Sequence, residues 1–475
     1  MTVRRPPAPA ATLAVLSLAQ FLIALDYSII YIALPSIAGE LRLDPALAQW
    51  IVSAYAVLFA GFLVVGGRLT DRVGAGRMFI VAVIAFGAAG AIGGAAGDGT
   101  VLLAARGAQG LGAALLQPAV LGLIGTTFPA GPRRGRALAV WGSVGASGLA
   151  AGAILGGLLT TASWRLTFFV NVPLTLLCAL GAAVWIGSQR DRTPAGRIPV
   201  LASVLGTGTV LTLALGLTLG ADRGWRSALT LGCLGLALVL FLCFVRNERR
   251  SRNVLIEPVL RRTPSLRAGA AATALYMASV GSEFYLLTLL LQSAKGYPPL
   301  RAGLAFLPLA LMVTAGSTAA GRAMRRFGAA SVLVAGFVIA TSGLLWLSLT
   351  LSGDTYAVDL LPGVLLSGFG HGVVYTSMFV IGTHDVPATH QGTAGALLTT
   401  SQYLSGALTV AVLTLALGPS PGHGNFRVAF LLTTAAAAAG AVLVMLWRGR
   451  LGTRPDAGSA SGRVPRPGTR LGFRS

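Results

Sequence analysis

The stretch Gly66-Gly67-Arg68-Leu69-Thr70-Asp71-Arg72-Val73-Gly74-Ala75-Gly76-Arg77 decides the fold of this chain. Long apolar runs flank it on both sides, and its single acid, Asp71, lies among three arginines. A polar segment this short predicts a tight turn between two membrane-spanning helices, with glycines that allow close helix approach. A generic positively charged turn would explain the arginines but not the position of Asp71.

The composition is that of a membrane protein. Of the 475 residues, 55% are hydrophobic and only 11% are charged, and the mean hydropathy is +0.77. A soluble protein carries roughly 25% charged residues. The chain is therefore predicted to be an all-α polytopic membrane protein.

The basic charge follows the predicted topology. The net charge is +22, and most of the 36 lysines and arginines fall in loops on one side of the predicted spans. Cytoplasmic loops carry this excess, so both termini are expected in the cytoplasm. The charge therefore does not indicate a nucleic-acid partner, and the arginine-rich composition favours the plasma membrane of a GC-rich bacterium.

A span needs about 20 mostly apolar residues, and fourteen such runs lie between residues 12 and 447. The first run continues past Asp26 without a small-residue cleavage site, which predicts a retained helix rather than a signal peptide. The predicted segments are a cytoplasmic start (1–11), a six-helix bundle (12–187), two extra helices (199–245), a cytoplasmic linker (246–266), a second six-helix bundle (267–447) and a disordered cytoplasmic tail (448–475).

An internal repeat supports this division. The segment Gly321–Gly328 matches Gly67–Gly74 at both glycines and at two arginines, with Arg325 in the place of Asp71. Repeated halves are typical of secondary transporters. The distance between the two turns exceeds six helices, which leaves room for two extra helices between the halves.

Two charged residues lie inside predicted spans. Asp26 is expensive to ionise at membrane depth unless it is paired or hydrated, which makes it a candidate proton-coupling acid; the alternative is a hydrogen bond between helices. Arg106 does not lose its charge and needs a counter-charge or a water-filled cavity; the alternative is that it reaches the membrane interface.

The fifth span has glycines at three- and four-residue spacing, among them Gly148, Gly152, Gly156 and Gly157. This spacing predicts a groove along one helix face, into which a neighbouring helix packs closely. Dense packing alone would be compatible with either direction of transport.

Four motifs resemble those of the major facilitator superfamily, and in particular its fourteen-span drug:proton antiporters. They are G-x-x-x-D-R-x-G-x-x-R at Gly67–Arg77, L-D-x-x-x-x-x-x-A-L-P at Leu25–Pro35, R-x-x-Q-G-x-G-A-A at Arg106–Ala114 and W-R-x-x-F-x-x-N-x-P at Trp164–Pro173. The resemblance implies two six-helix halves joined by two extra helices.

The resemblance also implies roles for individual residues. Arg106 would serve proton coupling together with Asp26, and the glycines of the fifth span would form the antiporter motif, in which Ala153 here replaces a proline. A cytoplasmic conformational latch would be formed by Gly67, Asp71, Arg72, Gly74 and Arg77. Asp71 itself is expected at the N-terminus of the third span, where a carboxylate is favourable.

Glu283 is the other acid at membrane depth, with Tyr276 and Tyr285 nearby in sequence. These three residues, together with Gln109, are predicted to bind the substrate, because an acid and aromatic faces attract organic cations. The alternative for Glu283 is a hydrogen-bonded structural acid, and His371 is interpreted as a packing or hydrogen-bonding residue.

The predicted function is proton-coupled export of amphipathic small molecules, as in multidrug or antibiotic efflux. The alternatives are a dedicated exporter of one secondary metabolite, a proton symporter and a non-transporting membrane sensor. No nucleotide-binding loop or catalytic constellation is found in the sequence, so neither an ATP-driven pump nor an enzyme is favoured. No cofactor and no metal site are predicted, and the protein is expected to be a monomer.

Overall fold

The computed structural model describes residues 9–129, 131–186, 199–251, 253–353, 355–418 and 422–447. These residues form helices and turns, without a β-strand among them. Fourteen helices are long and apolar enough to cross a membrane. They are numbered as spans 1 to 14: Pro9–Glu40, Trp50–Val73, Ala75–Gly94, Gly99–Thr127, Arg133–Ala162, Leu166–Ile186, Val200–Gly220, Ala228–Arg250, Pro264–Gln292, Arg301–Phe327, Ala329–Thr350, Tyr356–Gly382, Ala388–Leu417 and His423–Trp447.

Some spans are continuous helices and others are interrupted. The continuous helices of spans 2, 5 and 7 run over Pro45–Val73, Pro132–Ala162 and Val200–Arg223. Span 6 consists of Leu166–Phe169, Asn171–Gly181 and a π-helical turn, Ala182–Ile186. Span 9 consists of Pro264–Ala278, Val280–Leu289 and the π-helical turn Leu290–Ala294. Spans 10, 12 and 13 combine Pro299–Ala305 with Leu307–Phe327, Tyr356–Leu360 with Leu361–Gly382, and Ala388–His390 with Gln391–Leu417. A short helix, Pro258–Arg262, precedes span 9.

Local sequence explains several helix ends. Asp44 accepts a hydrogen bond from the Leu47 amide at the start of span 2, and Asp98 accepts from the amides of Thr100 and Val101 at the start of span 4. Such side chains satisfy amides that have no partner within the helix. Gly74, between spans 2 and 3, has a φ of 98°, a conformation that favours glycine.

The two sets of six helices pack in the same order. In the first set, span 1 packs against spans 5 and 6, and span 4 packs against spans 2 and 3. In the second set, span 9 packs against spans 13 and 14, and span 12 packs against spans 10 and 11. Each pair in the first set therefore has a counterpart eight spans later, as an internal repeat separated by two extra helices requires.

The two extra helices lie to one side of this arrangement. Span 7 packs against span 2 of the first half and span 13 of the second half, and span 8 packs against span 7. Span 8 exposes long apolar side chains such as Leu238, Val239 and Leu242. In a membrane such a surface faces lipid, so the two extra helices form an outer layer on the side of spans 2 and 13.

The halves meet along two seams, one formed by spans 2 and 13 and the other by spans 5 and 10. At the first seam the rings of Phe59 and Tyr403 meet edge to face, with 4.7 Å between centroids. Near the second, the Trp141 ring of span 5 stacks on the Tyr375 ring of span 12, with 5.6 Å between centroids. Aromatic packing therefore joins the halves in the interior.

The architecture confirms the predicted all-α membrane fold with fourteen spans. Of the predicted start of the chain (1–11), residues 1–8 lie outside the described residues and 9–11 belong to the helix of span 1. The predicted disordered tail (448–475) and the connection 187–198 between spans 6 and 7 also lie outside the described residues.

Candidate functional site

The centre of the first half is built around Asp26 of span 1, which is 1% exposed. One carboxylate oxygen accepts a hydrogen bond from the Arg106 guanidinium at 2.7 Å. The other accepts from the side-chain amides of Gln109 at 3.0 Å and Asn171 at 2.7 Å. Three donors from spans 4 and 6 therefore converge on one carboxylate, which compensates for its removal from water.

Arg106 is equally enclosed. Its guanidinium donates to the Gln109 side chain at 2.9 Å and to the Ile51 carbonyl at 3.3 Å. It also lies over the Tyr55 ring, with 4.5 Å from the central carbon to the ring centroid. The guanidinium is therefore held inside the bundle, beside the Asp26 carboxylate.

Asn171 was not predicted as a site residue, although it is the asparagine of the W-R-x-x-F-x-x-N-x-P motif. Two other residues of this motif lie at the end of the bundle far from Asp71. There Arg165 forms an ion pair with Glu40, whose carboxylate also accepts from the Trp164 indole at 2.9 Å. Because a side-chain amide is neutral, its type alone does not identify Asn171 as a partner of Asp26. Its position in the motif is the one indication that the sequence offers.

The glycine-rich face of span 5 packs against span 1. A Cβ at Gly148 would lie 2.6 Å from the Phe21 carbonyl oxygen, and one at Gly152 would lie 2.6 Å from the Leu25 carbonyl oxygen. At Gly156 the approach is looser, with 3.1 Å to the Ile32 Cβ. Gly157, in contrast, faces open space. Three of the four predicted glycines therefore form the groove, and this groove holds the helix that carries Asp26.

Glu283 of span 9 is the buried acid of the second half, with 0% exposure. One of its oxygens accepts a hydrogen bond from the Ser367 hydroxyl of span 12 at 2.6 Å. The other oxygen has no hydrogen-bond partner among the described residues. Glu283 also forms no ion pair with a described basic side chain.

The aromatic residues near Glu283 point in different directions. The Tyr276 hydroxyl is hydrogen bonded to Nε2 of His371, and its ring lies beside that of Tyr375. The Tyr285 hydroxyl instead lies 3.2 Å from the Thr414 hydroxyl of span 13. Of the two tyrosines predicted to bind substrate, Tyr276 therefore shares the span 9–span 12 interface with Glu283, and Tyr285 faces span 13.

Asp71 links the two halves at the end of the bundle that carries the turn Gly66–Arg77. Its carboxylate accepts hydrogen bonds from the backbone amides of Gly392 at 3.0 Å and Thr393 at 2.9 Å. These amides belong to the first turn of the span 13 helix, where a negative charge is favourable. The expectation that Asp71 serves the third span is therefore wrong, because span 2 ends against the N-terminus of span 13.

Gly67 makes this approach possible, since a Cβ there would lie 2.6 Å from the Ala396 Cβ. The ion pair beside it was not predicted: Arg68 contacts Glu257 at 2.6 Å, and Glu257 also lies 3.2 Å from Nε2 of His390. Glu257 belongs to the linker before span 9, so the linker joins the contact between the halves.

Arg72 and Arg77 were predicted to take part in the latch. Both are exposed, and neither forms an ion pair with a described carboxylate. The contacts around the turn therefore come from Asp71, Gly67 and Arg68. No group of three metal-ligating side chains occurs in the part of the chain that the structure describes.

Comparisons with known proteins agree with this architecture. The profile of the Major Facilitator Superfamily matches residues 16–200 and 195–410. The chain is 35% identical to the puromycin resistance protein of Streptomyces alboniger over 84% of its length and 80% of that protein. It is 36% identical to the cephamycin export protein of Amycolatopsis lactamdurans over 83% of its length and 82% of that protein.

Among solved structures, the human organic anion transporter MFSD10 has the same fold, with a TM-score of 0.68 at 14% sequence identity. The match covers 92% of this chain and 100% of that one. With its fourteen apolar helices and bacterial relatives, the protein is a multi-pass protein of the bacterial plasma membrane. The chain belongs to the Major Facilitator Superfamily.

Proposed function

We propose that the protein is a proton-coupled exporter of amphipathic small molecules that works by alternating access. The observation that carries the proposal is the buried Asp26–Arg106 pair at the centre of the first half. A charged pair is costly to bury without hydrogen bonds, and ionisable residues at membrane depth mark proton and substrate pathways. The relatives support export, because they are an antibiotic resistance protein and an antibiotic export protein.

In the proposed cycle, a proton from outside neutralises Asp26 and releases Arg106 from the pair. The freed guanidinium and the amides of Gln109 and Asn171 then rearrange, which lowers the affinity for substrate. Return of the proton to the cytoplasm restores the pair and the affinity. Glu283, Tyr276, Tyr285 and Gln109 are proposed to contact the substrate, with Glu283 attracting a cationic group.

The end of the bundle that carries Asp71 is proposed to face the cytoplasm, as are both termini. Contact of Asp71 with span 13 would then close the cytoplasmic side, and its loss would open that side. The division into two six-helix bundles, two extra helices and a linker is proposed to hold for the working transporter, which acts as a monomer on small molecules and protons and carries out no chemical conversion.

A dedicated exporter of one secondary metabolite is the second candidate. It is favoured by the two relatives described above, whose names each specify one antibiotic, puromycin or cephamycin. Both candidates share the proton-coupling site and differ only in the breadth of substrate.

The test uses everted membrane vesicles with an acid interior, whose pH gradient is followed with a fluorescent probe. Lipophilic cations, neutral antibiotics, puromycin and a cephamycin are added to wild type and to Asp26→Asn. We expect substrates to collapse the gradient in wild type only. Asp385→Asn serves as the control, because Asp385 is an exposed acid outside the site.

If the Asp26→Asn variant dissipates the gradient as fast as wild type, coupling through Asp26 is rejected. A response to one antibiotic alone would favour the dedicated exporter over the multidrug exporter. A wild-type protein that moves substrate without protons would exclude proton coupling altogether.

A further inference from the structure

Two polar contacts lie one above the other between spans 9 and 12. Glu283 is bonded to Ser367, and Tyr276 is bonded to His371. Ser367 and His371 are four residues apart on one helix, so their side chains lie on the same face in successive turns. The four side chains therefore form one polar strip in the core of the second half.

Each side of this strip has an unsatisfied polar atom. Oε2 of Glu283 and Nδ1 of His371 are both buried and have no hydrogen-bond partner among the described residues. Among the buried side-chain atoms of the described residues that lack a partner, Oε2 of Glu283 is the only carboxylate oxygen. Since buried polar groups are nearly always hydrogen bonded, this oxygen points to a group that exchanges a proton or binds a ligand in another step of the cycle.

The backbone is interrupted at the same place. The helix of span 9 stops at Ala278 and starts again at Val280, and Ser279 between them has φ −113° and ψ −103°. No proline lies at this break. In secondary transporters, interrupted helices near the middle of the membrane hold substrate and coupling-ion sites. Glu283 follows the break by one helical turn.

The charges around Glu283 limit its protonation state. The titratable groups that interact with the charge of Glu283 are Tyr276 on its own span and Tyr356 on span 12. His371 adjoins this group through its hydrogen bond to Tyr276. Without a described arginine or lysine to pair with it, an ionised carboxylate here would carry an uncompensated charge, which is strongly unfavourable in a buried site. A protonated carboxyl avoids this cost.

We propose that Glu283 and His371 form a second proton-carrying site, so that the transporter exchanges two protons for one substrate. This inference rests on the proposed function and extends it. In the state described here, the proton resides on Glu283 and the strip is neutral. On release, the proton passes from the Glu283 carboxyl to the imidazole of His371, which gives a carboxylate and an imidazolium, and from there to water. The amine of a cationic substrate stabilises the carboxylate that remains.

The first test is infrared difference spectroscopy of the purified full-length protein in lipid, titrated with pH in the absence of substrate. We expect the carbonyl band of a protonated carboxylic acid, which disappears at high pH and is missing in Glu283→Gln. Asp26→Asn should keep the band, as should the control Ser282→Ala, which removes a buried hydroxyl on the same helix that bonds only to the Met277 carbonyl.

His371→Gln tests the role of the imidazole. Because a protonated imidazole stabilises a nearby carboxylate, its loss should keep the Glu283 band to a higher pH, by roughly a tenfold change in proton concentration. A band that survives in Glu283→Gln, or a His371→Gln titration equal to that of wild type, would overturn the proposed pair.

The second test measures the ratio of protons to tetraphenylphosphonium in proteoliposomes, from the pH gradient at which net flux stops against a fixed gradient of the cation, with the membrane potential held at zero. We expect two protons per cation for wild type and one for Glu283→Gln. An unchanged ratio in the variant would overturn the second site while leaving proton-coupled export intact. If wild type moves no protons with this cation but shows the Glu283 band, proton-coupled cation export fails and the second protonation site stands.

Discussion

The two halves of the molecule each bury one acid on an inner helix, and they surround it in opposite ways. Asp26 receives hydrogen bonds from a guanidinium and two amides. Glu283 receives one hydrogen bond from a hydroxyl and has one unpartnered oxygen. The first environment favours an ionised carboxylate in the state described here, and the second favours a neutral acid. A repeated fold has thus produced two chemically different sites.

The largest expected effect comes from breaking the pair in the first half. Arg106→Gln leaves Asp26 as an uncompensated buried charge, and we expect a loss of about 3–5 kcal/mol in the free energy of unfolding. Glu283→Gln should lose less than about 1.5 kcal/mol, because glutamine keeps an acceptor for the Ser367 hydroxyl. Both are measured by thermal unfolding in detergent.

The double variant Asp26→Asn/Arg106→Gln provides the control, since it removes both charges and should recover part of the loss. Equal destabilisation by Arg106→Gln and Glu283→Gln would contradict the difference between the two halves.

The next comparison concerns the neutral donors. Asn171→Ala removes a hydrogen bond to a charged carboxylate, which we expect to lower stability by about 1.5–3 kcal/mol. Ser367→Ala removes a hydrogen bond to an acid that we propose is neutral, with an expected loss of about 0.5–1.5 kcal/mol. Thermal unfolding is measured for both variants, for Asp26→Asn and for the double variant Asp26→Asn/Asn171→Ala. In the Asp26→Asn background, Asn171→Ala should lower the stability by less than it does in wild type. A larger loss for Ser367→Ala would reverse the assignment of charge.

The smallest expected effect comes from the two related turns, the one that contains Asp71 and the one that contains Arg325. Asp71→Asn removes the negative charge from the N-terminus of the span 13 helix, which is worth about 1 kcal/mol, and should separate the ends of spans 2 and 13 more often. Distances between spin labels on these two ends, measured by double electron–electron resonance, report the shift. The related turn has Arg325 at this position, so Arg325→Ala should leave those distances unchanged.

Distances that stay the same in Asp71→Asn would show that Gly67 packing and the Arg68–Glu257 pair hold this contact without the acid. A shift of equal size in Arg325→Ala would mean that the two turns do not differ in the way their residues indicate.

The sequence predicts spans and candidate residues where the physical signal is local. Apolar runs of the length of a membrane predicted the fourteen spans, and charges inside those runs identified Asp26, Arg106 and Glu283 as candidates. The sequence does not predict contacts that depend on how the helices pack against one another. The rotation of span 6 brings the neutral Asn171 to Asp26, and no property of an isolated asparagine indicates this. The partner of Asp71 lies 321 residues away in the chain, so a nearby helix end was the natural but incorrect choice.

The second half was harder to predict for the same reason. The interruption of span 9 at Ser279 occurs without proline, and there the Ser279 hydroxyl donates to the carbonyls of Leu275 and Tyr276. His371 was interpreted as a packing residue because a single histidine among glycines carries little information. Its contact with Tyr276 becomes visible only when spans 9 and 12 are placed side by side.

The position of the two extra helices has a consequence for how molecules dissolved in the lipid reach the interior. Spans 7 and 8 cover the seam between spans 2 and 13, whereas the described helices place no such layer over the seam between spans 5 and 10. A lipophilic compound that diffuses within the bilayer therefore meets a covered seam on one side of the protein and an uncovered seam on the other. The Trp141–Tyr375 stack lies near the uncovered seam.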